Sequence, residues 1–480
     1  MMKNVDISRD SFDPANGFSR VIWQQGRVQL DADLNEQASI MLRTLRTMMI
    51  DLTGRYGGPF AACGFRVLLT EEDLVEEVVA QDRDEVVVML RQLERTDLII
   101  SKGRYYVDGI LCENDRFLHY SQHAGAEHRG RGIEAAGCYL VYLDVWEREV
   151  TALDDEAMSE VALGGADTAA RMRVVWQVRT ATLRERARGF MNMNPPWPEL
   201  LAGWQNRHRG ALRVRAREVD SQSAAGMGEA RATYRGPENQ LYRIEIHQGG
   251  KSGERPRPSF KFSRDNGVVA FRVESLAEDC LTVTLREWAR DETMGIAVGQ
   301  IVELVDEERL LHGGAGALPK VVWVDPASRQ IKVDTALRKH ASREGEALIL
   351  RRWDQQPGEP RKGGLELVDG AAQIVEDEWL ALEDGIEVMF ERSPTHVYRS
   401  GDYWLVAARV ATGDVIWPQH GGEPAALPPQ GVEHHYAPLA LVEVGSEGDG
   451  VKMILPLTRC FGRHAVDNVP DEVFVFSEHG

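Results

Sequence analysis

The tightest constraint on this chain is a stripe of apolar residues at Leu30, Leu34, Ala38, Met41, Leu45, Met48 and Leu52. Steps of four and three between them draw one continuous line along a helix. The chain has only one helical pattern this long, so the fold must find a place for it. Asp33 and Glu36 have the spacing of a capping box, with Asp33 accepting a helix N–H and Glu36 reaching back. Asp31 and Asp33 place negative charge at the positive end of the helix dipole. Gly54 suits the left-handed residue that ends the helix. Arg43 and Arg46 lie off the stripe. Ahead of the helix, Phe12, Pro14, Phe18, Val21 and Trp23 form a compact apolar arm, and Gly26 suits a turn with positive φ. Two packings satisfy such a stripe. The helix can lie on its own domain, as most amphipathic helices do. Alternatively, its seam of about three heptads can be shared with other copies or with a larger assembly.

The remainder reads as short β elements. Residues 103–111 alternate about a glycine-bounded turn, as a hairpin does. Cys138–Trp146 is the strongest strand, rich in aromatic and branched residues, and Arg173–Arg179 is another. Leu241–His247 alternates as a half-buried strand, Ser259–Arg264 returns beside it, and Asp265-Asn266-Gly267 signals a tight turn. Evenly spaced short strands over 281–352 point to a small barrel. At 480 residues, about three domains are expected. The pattern predicts a mainly β, multidomain chain of short-strand sandwiches and a small barrel with one N-terminal amphipathic α-helix. Its segments are an N-terminal docking stretch at 1–57, a β-rich domain at 58–190 and a linker at 191–231. A β domain with the barrel module follows at 232–354, and a C-terminal β domain at 365–480.

An excess of 75 acidic over 56 basic residues gives a formal charge of −19. Such a field repels nucleic acid and anionic lipid, so neither is an expected partner. No signal core and no membrane-spanning run is visible, which predicts cytoplasmic assembly without membrane insertion. The five cysteines are far apart and read as isolated thiols of a reducing compartment.

Signatures of chemistry are weak. There is no G-x-S-x-G elbow, phosphate-cradling loop or H-E-x-x-H helix, so no enzyme and no cofactor is expected. His312-Gly-Gly reads as a turn. His434 and His435 point to opposite faces of a strand and cannot readily share one metal ion, which leaves a polar loop or surface pair. Asp154 and Asp155 read as solvated loop charge, although nearby Trp146 and Trp176 make a glycan-binding face conceivable. Glu376, Asp377 and Glu378 have oxygens suited to acid–base work or Ca²⁺, with solvated charge the plainer reading. Trp404 and Trp417 read as core.

The string SRVIWQQGRVQLDADLNEQ, residues 19–37, resembles the N-terminal signature of an uncharacterised family encoded beside contractile injection systems. Leu34, Asn35, Glu36 and Gln37, with the Y-V-x-G segment at Tyr106–Gly109, are similar to the start of phage tail-fibre and baseplate proteins. The block around 232–272, then Gly401–Trp404 and Gly431–Leu441, resemble the first family again. The resemblance implies a structural part of a phage-tail-like particle, at the baseplate or spike end or a fibre base, released on lysis. Other particle proteins would be its partners, and a homo-oligomer such as a trimer its state. Phe12, Phe18, Trp23, Leu30, Leu34, Met41, Leu45 and Met48 would form the docking surface. The alternatives are a cargo or effector carried by the particle, or a glycan- or receptor-binding module.

Overall fold

A computed structural model describes residues 4–74, 82–123, 132–133, 135–183, 197–205, 208–217, 234–289, 291–306, 309, 314–337, 348–359, 364–445 and 450–461. The architecture is mainly β, with many antiparallel sheets and one long helix near the N-terminus.

Helix α1 runs from Asp31 to Thr53. It begins earlier than the expected capping box, and that box does not form. The Asp31 carboxylate accepts hydrogen bonds from the Ser8 amide (2.8 Å) and hydroxyl (2.6 Å), while Glu36 accepts from the Ser11 hydroxyl at 2.7 Å. The N-terminal arm thus supplies the donors that the local spacing assigned to the helix itself. Burial pushes the Asp31 carboxyl up, but the Ser8 hydrogen bonds outweigh it and leave the group below its ordinary value. Gly54 ends the helix as expected, at φ +85°, with its N–H on the Ile50 carbonyl at 2.8 Å.

The chain forms two compact units, each assembled from separated stretches. The first unit takes in the described residues of Met1–Ile40, Glu147–Arg173 and Asn206–Glu433; the second takes in those of Met41–Trp146, Val174–Gln205 and His434–Gly480. The boundary expected at 354–365 therefore falls inside one unit. Strand pairing between distant segments leaves no mark in local composition.

The second unit opens with β1 (Tyr56–Pro59), helix α2 (Arg83–Arg91) and the hairpin β2 (Gly103–Val107) and β3 (Ile110–Asn114). Asp108 and Gly109 turn that hairpin with φ of +46° and +77°, the left-handed pair such a two-residue loop requires. A Cβ on Gly109 would lie 2.6 Å from the Arg46 carbonyl, so the turn rests directly on the α1 backbone. Strands β4 (Gly137–Val150) and β5 (Arg171–Thr182) follow. The expected linker contains a helix, α3 (Trp197–Trp204), because Trp197 and Trp204 pack edge to face and Trp204 also meets Tyr142 and Tyr436.

Among the described residues, the first unit holds three sheets of three or more strands, besides two-stranded ribbons. Strand β6 (Leu212–Ala216) belongs to the smallest. Strands β7 (Gln240–Gln248) and β8 (Ser259–Ser263) pair antiparallel, with Glu245 opposite Lys261. Next come β9 (Ala270–Leu276), β10 (Thr282–Leu285), β11 (Ile301–Val305), β12 (Val321–Asp325), β13 (Gln330–Val333) and β14 (Ile349–Trp353). These six order as β11-β14-β9-β10-β13-β12. A bridge between Ile301 and Lys320 joins the two edges at one end, giving a partly closed barrel around Val283, Val302, Leu304, Ile331 and Leu350. Strands β15 (Leu367–Val368), β16 (Ala371–Gln373), β19 (Tyr403–Arg409) and β20 (Asp414–Ile416) join β7 and β8 in the order β15-β16-β8-β7-β19-β20. Strands β17 (Leu380–Ala381) and β18 (Ile386–Phe390) complete the sheet of β6. A shared core of Tyr242, Ile244, Phe260, Phe390 and Trp404 lies between these last two sheets.

The chain then returns to the second unit with β21 (His435–Val444), β22 (Val451–Pro456) and β23 (Cys460–Phe461). They give the orders β5-β4-β21-β22 and β23-β1-β2-β3, around a core including Val141, Leu143, Val145 and Leu439.

Candidate docking surface and a buried ionic layer

The stripe of α1 faces outward. Leu34, Met41, Leu45, Met48 and Leu52 are 50–79% exposed, Leu42 beside them is 45% exposed, and Ala38 is exposed as well. Ala32 and Ile40 are buried instead, and Arg46, Met49 and Ile50 are half-buried. The helix therefore packs through the face its apolar periodicity does not mark. The arm lies beside it, held by Ser8 and Ser11 and by the Val21 amide on Gln37 Oε1 at 2.7 Å. Phe18, Ile22, Trp23, Val28 and Leu30 are exposed, whereas Phe12 is half-buried. Seven of the eight residues expected at a docking surface thus lie on an uncovered apolar face, and Phe12 is partly withdrawn from it.

The start of the arm is tied into the first unit. The Asn266 amide donates to the Val5 carbonyl at 2.9 Å, Arg409 donates to the Ser8 carbonyl at 2.9 Å, and Arg243 donates to Asn4 Oδ1. Ile7 packs with Leu241 and Ala407. A cavity of about 570 Å³ remains along this arm, lined in part by Asp31, Asn239, Asp265 and Arg409. Burial, with the Asp354 charge second, pushes the Asp265 carboxyl up to about 6.

Strand β7 departs from the expected half-burial: every residue from Gln240 to His247 is buried. Tyr242, Ile244 and Ile246 join the apolar core, and Arg243, Glu245 and His247 alternate with them. The cross-strand pair Glu245–Lys261 meets a second one, Glu303–Arg351, contributed by β11 and β14. Lys261 Nζ lies 2.5 Å from Glu303 and 3.4 Å from Glu245, Arg243 pairs with Glu245, and the Trp353 indole donates to Glu303 at 2.9 Å. Lys261 also sits 4.3 Å from the centroid of Trp353. Arg243, Lys261 and Arg351 stand around Glu245 and Glu303, so the centre of the layer leans cationic. Burial lowers Lys261 to about 8 against the pull of Glu303, and lowers Arg243 to about 9 with the Arg351 charge adding to the effect. Burial alone would raise Glu303, but the Lys261 charge and hydrogen bond overcome it and hold the carboxyl down at about 2. His247 falls to about 4, from burial first and Lys261 second. The layer is a set of fixed charges locked by one another, which suits holding two sheets in register.

The other candidate groups find structural partners. His434 Nδ1 meets Asp144 at 2.6 Å and His435 Nδ1 meets Asp108 at 3.0 Å, so the histidines diverge as a strand requires but are anchored rather than a loose surface pair. Asp154 and its neighbours are not simple solvated charge. Asp154 accepts from the Thr151 amide at 2.9 Å, Asp155 from the Ala157 amide at 3.1 Å, and Glu156 grips Arg272 and Arg286. Trp146 is buried, and Trp176 donates to the Glu113 carbonyl at 3.0 Å while packing on Phe65. Glu376 accepts from the Tyr398 hydroxyl and Asp377 from the Arg392 amide. Trp404 is buried and Trp417 half-buried against the same core, as expected. His312 lies outside the described residues. All five cysteines are free thiols, as expected; Cys63 Sγ donates to the Arg459 carbonyl at 3.6 Å, and Arg66 donates to Cys460 Sγ at 3.0 Å. Among the described residues, no three His, Cys, Asp or Glu side chains gather as a metal site would require, and no helix is long and apolar enough to cross a membrane.

A protein family described as a family of unknown function, DUF6519, matches residues 2–189 and 200–451. The chain belongs to this family. The match takes in the arm, α1 and both cross-strand pairs of the ionic layer, so the docking face and the layer both lie within the family's span. No curated protein and no solved structure matches the chain.

Proposed function

We propose that this protein is a structural subunit of a phage-tail-like contractile injection particle. It docks at the baseplate or spike end, or at a fibre base, through the arm and the outward face of α1. The observation that carries this reading is the exposed stripe, because burying one side chain of this size contributes about 1.5–3 kcal/mol and a chain does not gain from leaving a row of them in water. The resemblance of residues 19–37 and of the later blocks to particle-associated proteins supplies the setting. The buried ion pairs of the first unit, Lys261 with Glu303 and Arg243 with Glu245, support a scaffold role, since these charges are turned to one another inside the fold.

Leu45→Asp tests the reading. The variant is expected to be lost from purified particles while its circular dichroism and unfolding midpoint stay those of the parent. Retention of Leu45→Asp in intact particles at parental copy number overturns it.

A further inference from the structure

We infer that the outward face of α1 is covered by the same face of other copies of this chain. The inference rests on the docking reading above and names the partner.

Three observations carry it. The first is the period. Leu34, Met41 and Met48 repeat every seven residues, and so do Ala38, Leu45 and Leu52. A seven-residue repeat keeps one narrow seam that a helix supercoiling with it can cover, and here that seam is the face left exposed. The second is charge. The positions flanking the seam are Asn35, Leu42 and Met49 on one side and Gln37, Thr44 and Asp51 on the other. Flanking charges ordinarily select a partner of opposite sign. Here a single carboxylate near the C-terminal end is all there is, so a charged foreign helix finds little to pair with. In a chain of formal charge −19, copies repel through most of their surface. This face is where they can approach without opposing charge. The third is area. Along the helix itself Leu34, Met41, Leu42, Leu45, Met48 and Leu52 are all strongly exposed. At roughly 100 Å² of uncovered side chain apiece they present on the order of 600 Å². That stands at the top of the ~300–600 Å² of the largest apolar patch on a typical monomer. Leu42 broadens the exposed seam on one side.

The test is the solution mass of the full chain by light scattering over a dilution series, beside full-length Met41→Glu/Leu45→Glu and the control Val161→Glu, whose side chain is 86% exposed elsewhere. The parent and the control are expected at an integer multiple of the chain mass, and the double variant at the mass of one chain. A milder Leu45→Gln variant should shift association to higher concentration, which keeps the test decisive if two added charges disturb the fold. A parent that stays a single chain at every concentration, or a folded double variant that still associates, overturns the inference. A monomeric parent that Leu45→Asp nevertheless removes from particles would sink self-association and leave the docking reading standing. An oligomer broken by the double variant but never found in particles would do the reverse.

Discussion

Helix α1 and strand β7 both carry a regular pattern, and the two are turned in opposite ways. Along α1 a row of leucine and methionine side chains faces outward while Ala32 and Ile40 lie inward. Along β7 the polar positions Arg243, Glu245 and His247 are as buried as the apolar positions between them. An uncovered apolar row has a driving force still to be used, which is the signature of a surface awaiting a partner. A covered charged row has part of its desolvation cost offset by opposite charges turned to it, which is the signature of a finished joint. On the reading proposed above, the contrast separates the face that would assemble from the part that holds one chain in shape.

Breaking the joint should have the largest effect. Glu303→Ala leaves Lys261 and Arg351 buried without their nearest carboxylate, a change that costs about 3–5 kcal/mol. Chemical denaturation should show a correspondingly lower midpoint. Lys261→Met combined with Glu303→Leu should recover most of that loss, since both charges leave together. If the double variant is no better than Glu303→Ala, the layer is not a mutually neutralising set.

Acid probes the same joint with an intermediate effect. His247 falls from 6.5 to about 4 in the fold and Glu303 from 4.5 to about 2. In both cases the unfolded chain binds the proton more readily, so stability is present above the unfolded values and is lost as pH falls, first through 6.5 to 4 and then through 4.5 to 2. The His247 part is on the order of 3 kcal/mol. Asp265, raised from 3.8 to about 6, works with the opposite sign between those values. Between pH 6 and pH 4 the Asp265 gain offsets most of the His247 loss, so urea midpoints should fall only modestly from pH 7 to pH 4, and His247→Gln should remove that fall. An unchanged slope in His247→Gln would remove the histidine from the account.

The smallest effect should come from α1. Leu45 is 58% exposed, so Leu45→Asp should move the stability of the isolated chain by no more than about 0.5 kcal/mol, the range of ordinary surface substitutions. A loss of several kcal/mol would mean that Leu45 is buried within one chain and that the outward face is misassigned.

These two elements also mark how far the sequence could be read. The spacing of Leu34 through Leu52 located the helix and its stripe, and the turns at Asp108-Gly109 and Asn266-Gly267 were legible because only certain residues adopt positive φ. The direction in which the stripe faces was not legible, because a seven-residue period describes equally a helix on its own domain and a helix between copies. The capping of α1 was misread for a related reason: Ser8 and Ser11, more than twenty residues away, supply the hydrogen bonds. The ionic layer was hidden because alternating Arg243, Glu245 and His247 look like a solvent face until Glu303, Arg351 and Trp353 are known to stand opposite. The opposed signs of Glu245 and Lys261 in neighbouring strands were the one available hint.

Methionine oxidation by peroxide, read residue by residue by mass spectrometry in the assembled protein, tests the central claim most directly. Met41 and Met48 lie on the outward face of α1, and Met172 and Met294 serve as exposed references elsewhere in the same chain. Oxidation of an exposed thioether tracks its access to solvent. The account predicts that Met41 and Met48 oxidise several-fold more slowly than Met172 and Met294 once the protein is assembled, and at a similar rate in dilute single chains. Equal rates for all four methionines in the assembled protein would contradict it.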